Sequence, residues 1–138
     1  MSWQEKMKEW GGGEVSFMSE DGEVVQFVVV GEPFLIEGKF RGQETQRIGC
    51  PIVTIEGFSL LVVGKRIARR LSKHEKNFGK YGFELIRCGV QDDPTTRYEL
   101  NRIGDKDYEK QLLEIASSSD WKEDIEDAVK SAIEIAAG

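Results

Sequence analysis

Histidine occurs once in these 138 residues, cysteine twice and proline three times. A single histidine, His74, leaves a zinc site or a histidine-based catalytic triad short of ligands and bases. Cys50 and Cys88 are too few for a disulfide framework and are not spaced as a metal pair. Both lie in apolar, strand-like settings that suit buried reduced thiols. No apolar run approaches the ~20 residues of a membrane helix. The N-terminus lacks the basic-then-apolar order of a secretory signal, so a cytoplasmic protein is expected. Phosphate-binding loops are missing too. Gly11-Gly12-Gly13 is followed by no lysine-serine or lysine-threonine pair. At Gly64-Lys65 the required upstream glycine is Ser59, and Arg66 replaces the hydroxyl residue. Acids are plentiful, yet no pair sits in a recognisable acid/base setting, and Asp92-Asp93 reads as a turn. The expectation is a protein that is not an enzyme and holds no metal or cofactor.

Charge is what the chain does have, and it is divided. The net charge is −6. Met1 to Leu35 carries 2 basic and 7 acidic residues, Ile36 to Lys106 carries 14 and 9, and Asp107 to Gly138 carries 3 and 9. A basic middle between acidic ends points to an anionic partner for the middle segment.

The stretch from Phe58 to Leu100 organises the rest. Leu60-Leu61-Val62-Val63 is long enough for one buried strand and too short for a helix. After Gly64, Ile67, Ala68, Leu71 and then His74 or Glu75 recur at helical spacing, with Phe78 a turn further on. Lys65, Arg66, Arg69, Arg70, Lys73 and Lys76 fill the remaining circumference. Gly79 is expected to end this helix as a left-handed cap. Strands are predicted over Phe83 to Cys88 and Thr96 to Leu100.

Upstream, Trp3, Met7 and Trp10 share one face of a short helix that the triple glycine breaks. Val15 to Phe17 is strand-like, and Asp21-Gly22 makes a turn. Glu23 to Val30 becomes continuously apolar, as a strand buried on both faces would. Gly31-Glu32-Pro33 interrupts it before Phe34 to Phe40, so one strand bent at a glycine and two strands at a corner both fit. Arg41 to Gln46 reads as a polar loop, and Arg47 to Ile55 as a strand weakened at Pro51. Glu56-Gly57 turns into Phe58. After Leu100 the chain is helical. Asp105 caps a first segment bearing Tyr108, Leu112 and Ile115; Asp120 and Glu123 resemble a capping box for a second. Residues 1–13 thus read as an arm or short helix, 14–104 as a folded domain and 105–138 as an acidic amphipathic extension.

Five strands with one helix between the third and fourth is the order of an OB-fold barrel, so the expected class is mainly β with helices, OB-like, plus C-terminal helices. In that fold nucleic acid lies across the second and third strands, between the first hairpin loop and the loop joining strands four and five. The corresponding loops here are Phe40 to Gln46 and Gly89 to Thr96.

The residues also resemble the OB-fold single-stranded DNA-binding proteins of bacteriophages and related viruses, over about Trp10 to Leu100. The shared elements are the glycine-rich GGGEVSF, a strand ending in Gly-Glu-Pro, a basic segment through Arg47, and Gly-Lys-x-x-Ala-x-x-Leu (GKRIARRL). The most specific is the closing FELIRCGVQDDPTTRY, which follows F-x-I/L-x-R-x-G…D-x-x-T-x-Y. The acidic helical C-terminus departs from the short acidic tail of bacterial single-strand binders. The resemblance implies sequence-independent binding of single-stranded DNA in replication, recombination or repair, within a host cytoplasm if the source is viral.

Such binding needs cations along a groove and flat side chains for bases. The expected cations are Lys39, Arg41, Arg47, Arg87 and Arg97; the expected stacking residues are Trp10, Phe40, Tyr81 and Tyr98. Arg97 and Tyr98 alternate, so one faces the groove and the other the interior. Trp10 has a second possible role, covering one end of the barrel. The cations of the helix read as a solvated face, because an OB helix plugs the barrel bottom. Trp121, Ile125, Val129 and Ile133 form a stripe for packing or self-association, as in a homodimer, and the acidic helix is a candidate for recruiting replication proteins. Two alternatives stand beside this reading: a protein-interaction module docking through its C-terminal helix, and an RNA-binding OB protein.

Overall fold

The computed structural model describes residues 15–17, 21–40, 43–89 and 96–137. The strands are β1 (Val15–Phe17), β2 (Val24–Val29), β3 (Phe34–Phe40), β4 (Gln43–Thr54), β5 (Gly57–Val63), β6 (Phe83–Cys88) and β7 (Arg97–Arg102). Helix α1 (Lys65–Ser72) lies between β5 and β6, and α2 (Lys106–Ala116) and α3 (Lys122–Ala137) close the chain. Over the described residues the protein is therefore mainly β with three helices. None of them is long and apolar enough to cross a membrane.

β2 is the hinge of the architecture. Its Val24–Phe27 half pairs with β6, and Val28 and Val29 pair with Val53 and Ile52 of β4. Beyond Gly31–Pro33 the chain resumes as β3, which pairs with the first half of β4 from Phe34↔Gly49 to Phe40↔Gln43. The sequence left a bent strand or a corner open; the structure makes a corner. β5 lies antiparallel along the second half of β4, and β7 along β6. β1 joins the far side of β5 in parallel, with Val15 opposite Leu60.

The sheet order is β1-β5-β4-β2-β6-β7, with β3 beside β4. Among the described residues seven strands stand where five were expected, and their sheet is open, with no ladder joining β5 to β7. Two causes account for the difference. Gly31–Pro33 divides one expected strand into two, and β1 occupies the side of β5 on which a closing strand would pair. α1 covers part of the opening, packing on β4 and β7, and Arg70 Nη1 donates to the Tyr98 carbonyl at 2.8 Å. The expected helix also ends early. α1 stops at Ser72, a 3-10 turn spans Glu75–Asn77, and Gly79 does not take a positive φ.

Alternation along the strands explains how both faces are buried. Phe27 and Val29 of β2 point inward with Cys50, Ile52, Leu61, Val63, Phe83 and Leu85, and α1 seals this cluster with Ile67 and Leu71. Burial pushes the Cys50 thiol up to about 11, so it stays protonated at neutral pH. On the outer face Val28 meets Ile103 and Leu112, with Tyr108 and Leu113 of α2 around them. Further along that face, Ile36, Leu60 and Val62 lie under Ala128 and Ala132 of α3, two small residues that let the helix approach closely. The acidic extension is thus the second wall of the sheet.

The Asp105 cap follows the chemistry read from the sequence, whereas the bond at Asp120 goes to Lys122 and not to the Glu123 of the expected capping box. Asp105 Oδ1 accepts the Asp107 and Tyr108 N–H groups at 3.0 and 3.1 Å, and Asp120 Oδ1 accepts that of Lys122 at 3.0 Å. Trp121 adopts φ 59°, a left-handed conformation unusual for a bulky residue. Its indole holds it there by stacking on Phe58 and donating from Nε1 to the Ala116 carbonyl at 2.8 Å.

Leu112 is completely buried between α2 and β2. Leu112→Ala is expected to cost about 3 kcal/mol of unfolding free energy. Urea titration followed by circular dichroism should show a lower midpoint at an unchanged slope.

Candidate nucleic-acid interface

The expected binding residues fall into three groups. Trp10 and Arg41 lie outside the described residues. Lys39 and Phe40 belong to β3, where the register sets them opposite Glu44 and Gln43. Arg47 of β4 and Arg97 of β7 are exposed. Arg47 stands opposite Ile36 on the β3–β4 hairpin, which extends beyond the part of β4 that β5 covers. Arg97 begins β7, opposite Cys88.

Arg87 and Tyr98 form the second group, and they are brought together inside the fold. Arg87 shares the inward face of β6 with Phe83 and Leu85 and is only 8% exposed. Its Nε donates to the Gly89 carbonyl at 2.9 Å and its Nη1 to the Tyr98 hydroxyl at 2.5 Å, with Cζ 5.6 Å from the Tyr98 ring centre. Tyr98 packs against the inner cluster. Of the alternating pair, then, Arg97 faces solvent and Tyr98 the interior. The contact also fixes the base of the 89–96 segment. Gly89 takes φ 137°, with Thr96 so close that a Cβ would lie 2.6 Å from its Oγ1. The Gly89 N–H donates to Asp21 Oδ1 at 2.9 Å.

Tyr81 belongs to a third cluster. It packs on the inner core, and the Arg102 guanidinium carbon lies 3.5 Å from its ring centre. Arg102 in turn grips Glu109 of α2 with two hydrogen bonds, Nε to Oε2 at 3.0 Å and Nη2 to Oε1 at 2.9 Å. Glu109 Oε2 also accepts the Gly82 N–H at 3.0 Å. The Arg102 hydrogen bonds, the Gly82 N–H and the arginine's charge hold the Glu109 carboxyl below its ordinary range against the opposing effect of burial. The same hydrogen bonding raises the Arg102 pKa. This clamp ties α2 to the start of β6 and the end of β7.

A groove of about 620 Å3, unmarked by the sequence reading, lies between α1 and the β2–β3 corner. Its floor is apolar, formed by Val29, Leu35, Ile48 and Phe78 among others. Exposed Lys65 and Arg69 stand on its rim with Glu75. Lys65 Nζ donates to Gln46 Oε1, and Gln46 Nε2 to Glu37 Oε1 at 3.4 Å, tying α1 to the hairpin. A local signal existed in Ala68, a small residue between the two cations that opens the helix surface at that point. The expected packing stripe is used mostly within the chain. Trp121 lies on Phe58, Ile125 reaches the backbone of Gly31, and Val129 joins the outer cluster, while Ile133 remains 48% exposed. No family model, curated protein or solved structure matches this chain.

Two outcomes test these assignments. Arg87→Met strips the Tyr98 hydroxyl and Gly89 carbonyl of a donor and is expected to cost about 1–3 kcal/mol in denaturant titrations. Glu109 has a lowered folded-state pKa, so its contribution is full above its ordinary value of 4.5 and fades as pH falls through the depressed one. Glu109→Gln should therefore lower stability at neutral pH and flatten the acid side of the stability profile.

Proposed function

We propose that this chain binds single-stranded DNA without sequence preference and protects or organises it in replication, recombination or repair. The observation that carries the reading is the exposure of Arg47 and Arg97 beside two particular segments. One is the tip of the β3–β4 hairpin, and the other is the loop between β6 and β7. With β1 set aside, the order β5-β4-β2/β3-β6-β7, with α1 between β5 and β6, supports an OB-like sheet opened between its third and fifth strands. In that correspondence the two segments are the loops that flank a bound strand.

The outer face of β5 is occupied by α3, through Leu60 and Val62. A polynucleotide on this protein therefore runs along the hairpin and the 89–96 segment, gripped by arginines and backbone, and does not lie flat across the sheet.

A second reading is favoured by a different observation. Tyr81 and Tyr98, two of the expected stacking residues, already carry arginines and pack on the core. A barrel-like module that recognises protein has no need of exposed rings.

Titration with an oligo-dT separates the readings. The first expects binding in dilute salt, quenching of tryptophan emission, and affinity falling with salt at a log–log slope of about −0.7 per neutralised phosphate. Arg47→Ala and Arg97→Ala should each make that slope shallower by about 0.7. No binding at low salt, to DNA or to a matched RNA oligomer, would leave the protein-binding module. A clear preference for RNA would move the assignment to that polymer.

A further inference from the structure

Phe34 stands between two hollows of opposite charge. On one side is the groove with Lys65 and Arg69 on its rim. On the other is a hollow of about 480 Å3 between Phe34 and α3, lined by Ile125, Val129 and Ile133, with Glu126 and Glu134 beside Lys130. The elements behind them have the same polarity. α1 contains four cations and no acid, whereas α3 carries five acids against two lysines. Leu35 on the first side is 50% exposed and Ile133 on the second 48%, so large apolar surface is open on both flanks.

We propose that this face is where two copies of the chain meet, about a two-fold axis passing near Phe34. Each copy lays the Ile133 side of α3 over the other's groove, with Glu126 and Glu134 approaching Lys65 and Arg69. The geometry argues for a second copy over some other acidic partner. Phe34 lies between the hollows, so one molecule cannot bring its own acids to its own cations. A two-fold rotation exchanges the two flanks, so both ionic contacts form at once and the apolar centre closes on itself. Such an interface is complete with two chains, and it covers apolar surface next to charges of both signs.

Light scattering coupled to size exclusion, without nucleic acid and at about 50 mM salt to limit screening, should give twice the 15.6 kDa chain mass. Lys65→Glu/Arg69→Glu and Glu126→Lys/Glu134→Lys should each run at the single-chain mass. Mixing these two variants in equal amounts, or combining all four changes in one chain, should restore the doubled mass, because every contact is again between opposite charges. Circular dichroism checks that each variant is folded, and Leu35→Glu provides an independent route to the single-chain mass. Wild-type protein that stays at one chain mass up to millimolar concentration would overturn the proposal. So would charge reversals that leave the doubled mass intact, failure of folded reversed variants to pair, or a mass that climbs with concentration without a limit.

Discussion

At Gly31 three layers of the molecule come into contact. A Cβ there would lie 2.9 Å from Ile125 Cδ1 of α3 and 3.3 Å from the Pro51 ring of β4. With no side chain at this position, the outer helix, the central strand and the corner of the chain approach without displacing Ile125 or Pro51. Pro51 has no N–H to give, but its carbonyl accepts the Val30 N–H at 3.0 Å just as β2 leaves its partner. The switch from β6 to β4 comes earlier, between Phe27 and Val28, and this contact marks where the chain, already on β4, passes from β2 to β3. Phe34, the first residue of β3, takes its place between α1 and α3 just past it. Both the proposed DNA path and the proposed self-association depend on that corner.

The positive charge of the middle segment is shared between structure and surface. Arg87 is spent inside the fold, where it holds Tyr98 and the start of the 89–96 segment. Arg102 is committed to Glu109 and Tyr81, and Arg70 to the Tyr98 carbonyl. Arginine suits these posts because its planar fork can bond two acceptors while its face rests on a ring. What is left for an anionic partner includes two groups of exposed cations: Arg47 and Arg97 at the hairpin and β7, and Lys65, Arg66 and Arg69 on α1, with Lys73, Lys76 and Lys80 after it. Net charge alone says little about either, since screening confines each to its neighbourhood at ordinary ionic strength.

Where local pattern decides the structure, the sequence was legible. Alternation placed β6 over Phe83–Cys88 to the residue, side-chain chemistry located the Asp105 cap, and the continuous apolar run of β2 foretold burial on both faces. The burial of Arg87 is also written there, two residues after Leu85 on the Phe83 face, although charge alone marks it as a groove cation. Gln43 to Gln46 was read as a loop because a polar run shows no face. It is a strand because β3 pairs with it and Gln46 bonds Glu37 and Lys65 across it. No local pattern could announce that β1, three residues long, would pair with β5 some 45 positions away and hold the sheet open. The helix stopped at Ser72 because Phe78 packs back on Phe83 through a tighter turn, a tertiary demand that helical spacing does not encode.

Assigning Arg47 and Arg97 to the polynucleotide and Lys65 and Arg69 to a second copy makes the two ionic contacts separable rather than competing. The acids of α3 then have work to do at the joint. Two copies joined through α1 and α3 would each present a hairpin, and a single strand held by one would meet the other at raised effective concentration. Avidity of this kind would add to the grip of Arg47 and Arg97 in a fold whose Tyr81 and Tyr98 are already engaged by arginines and core.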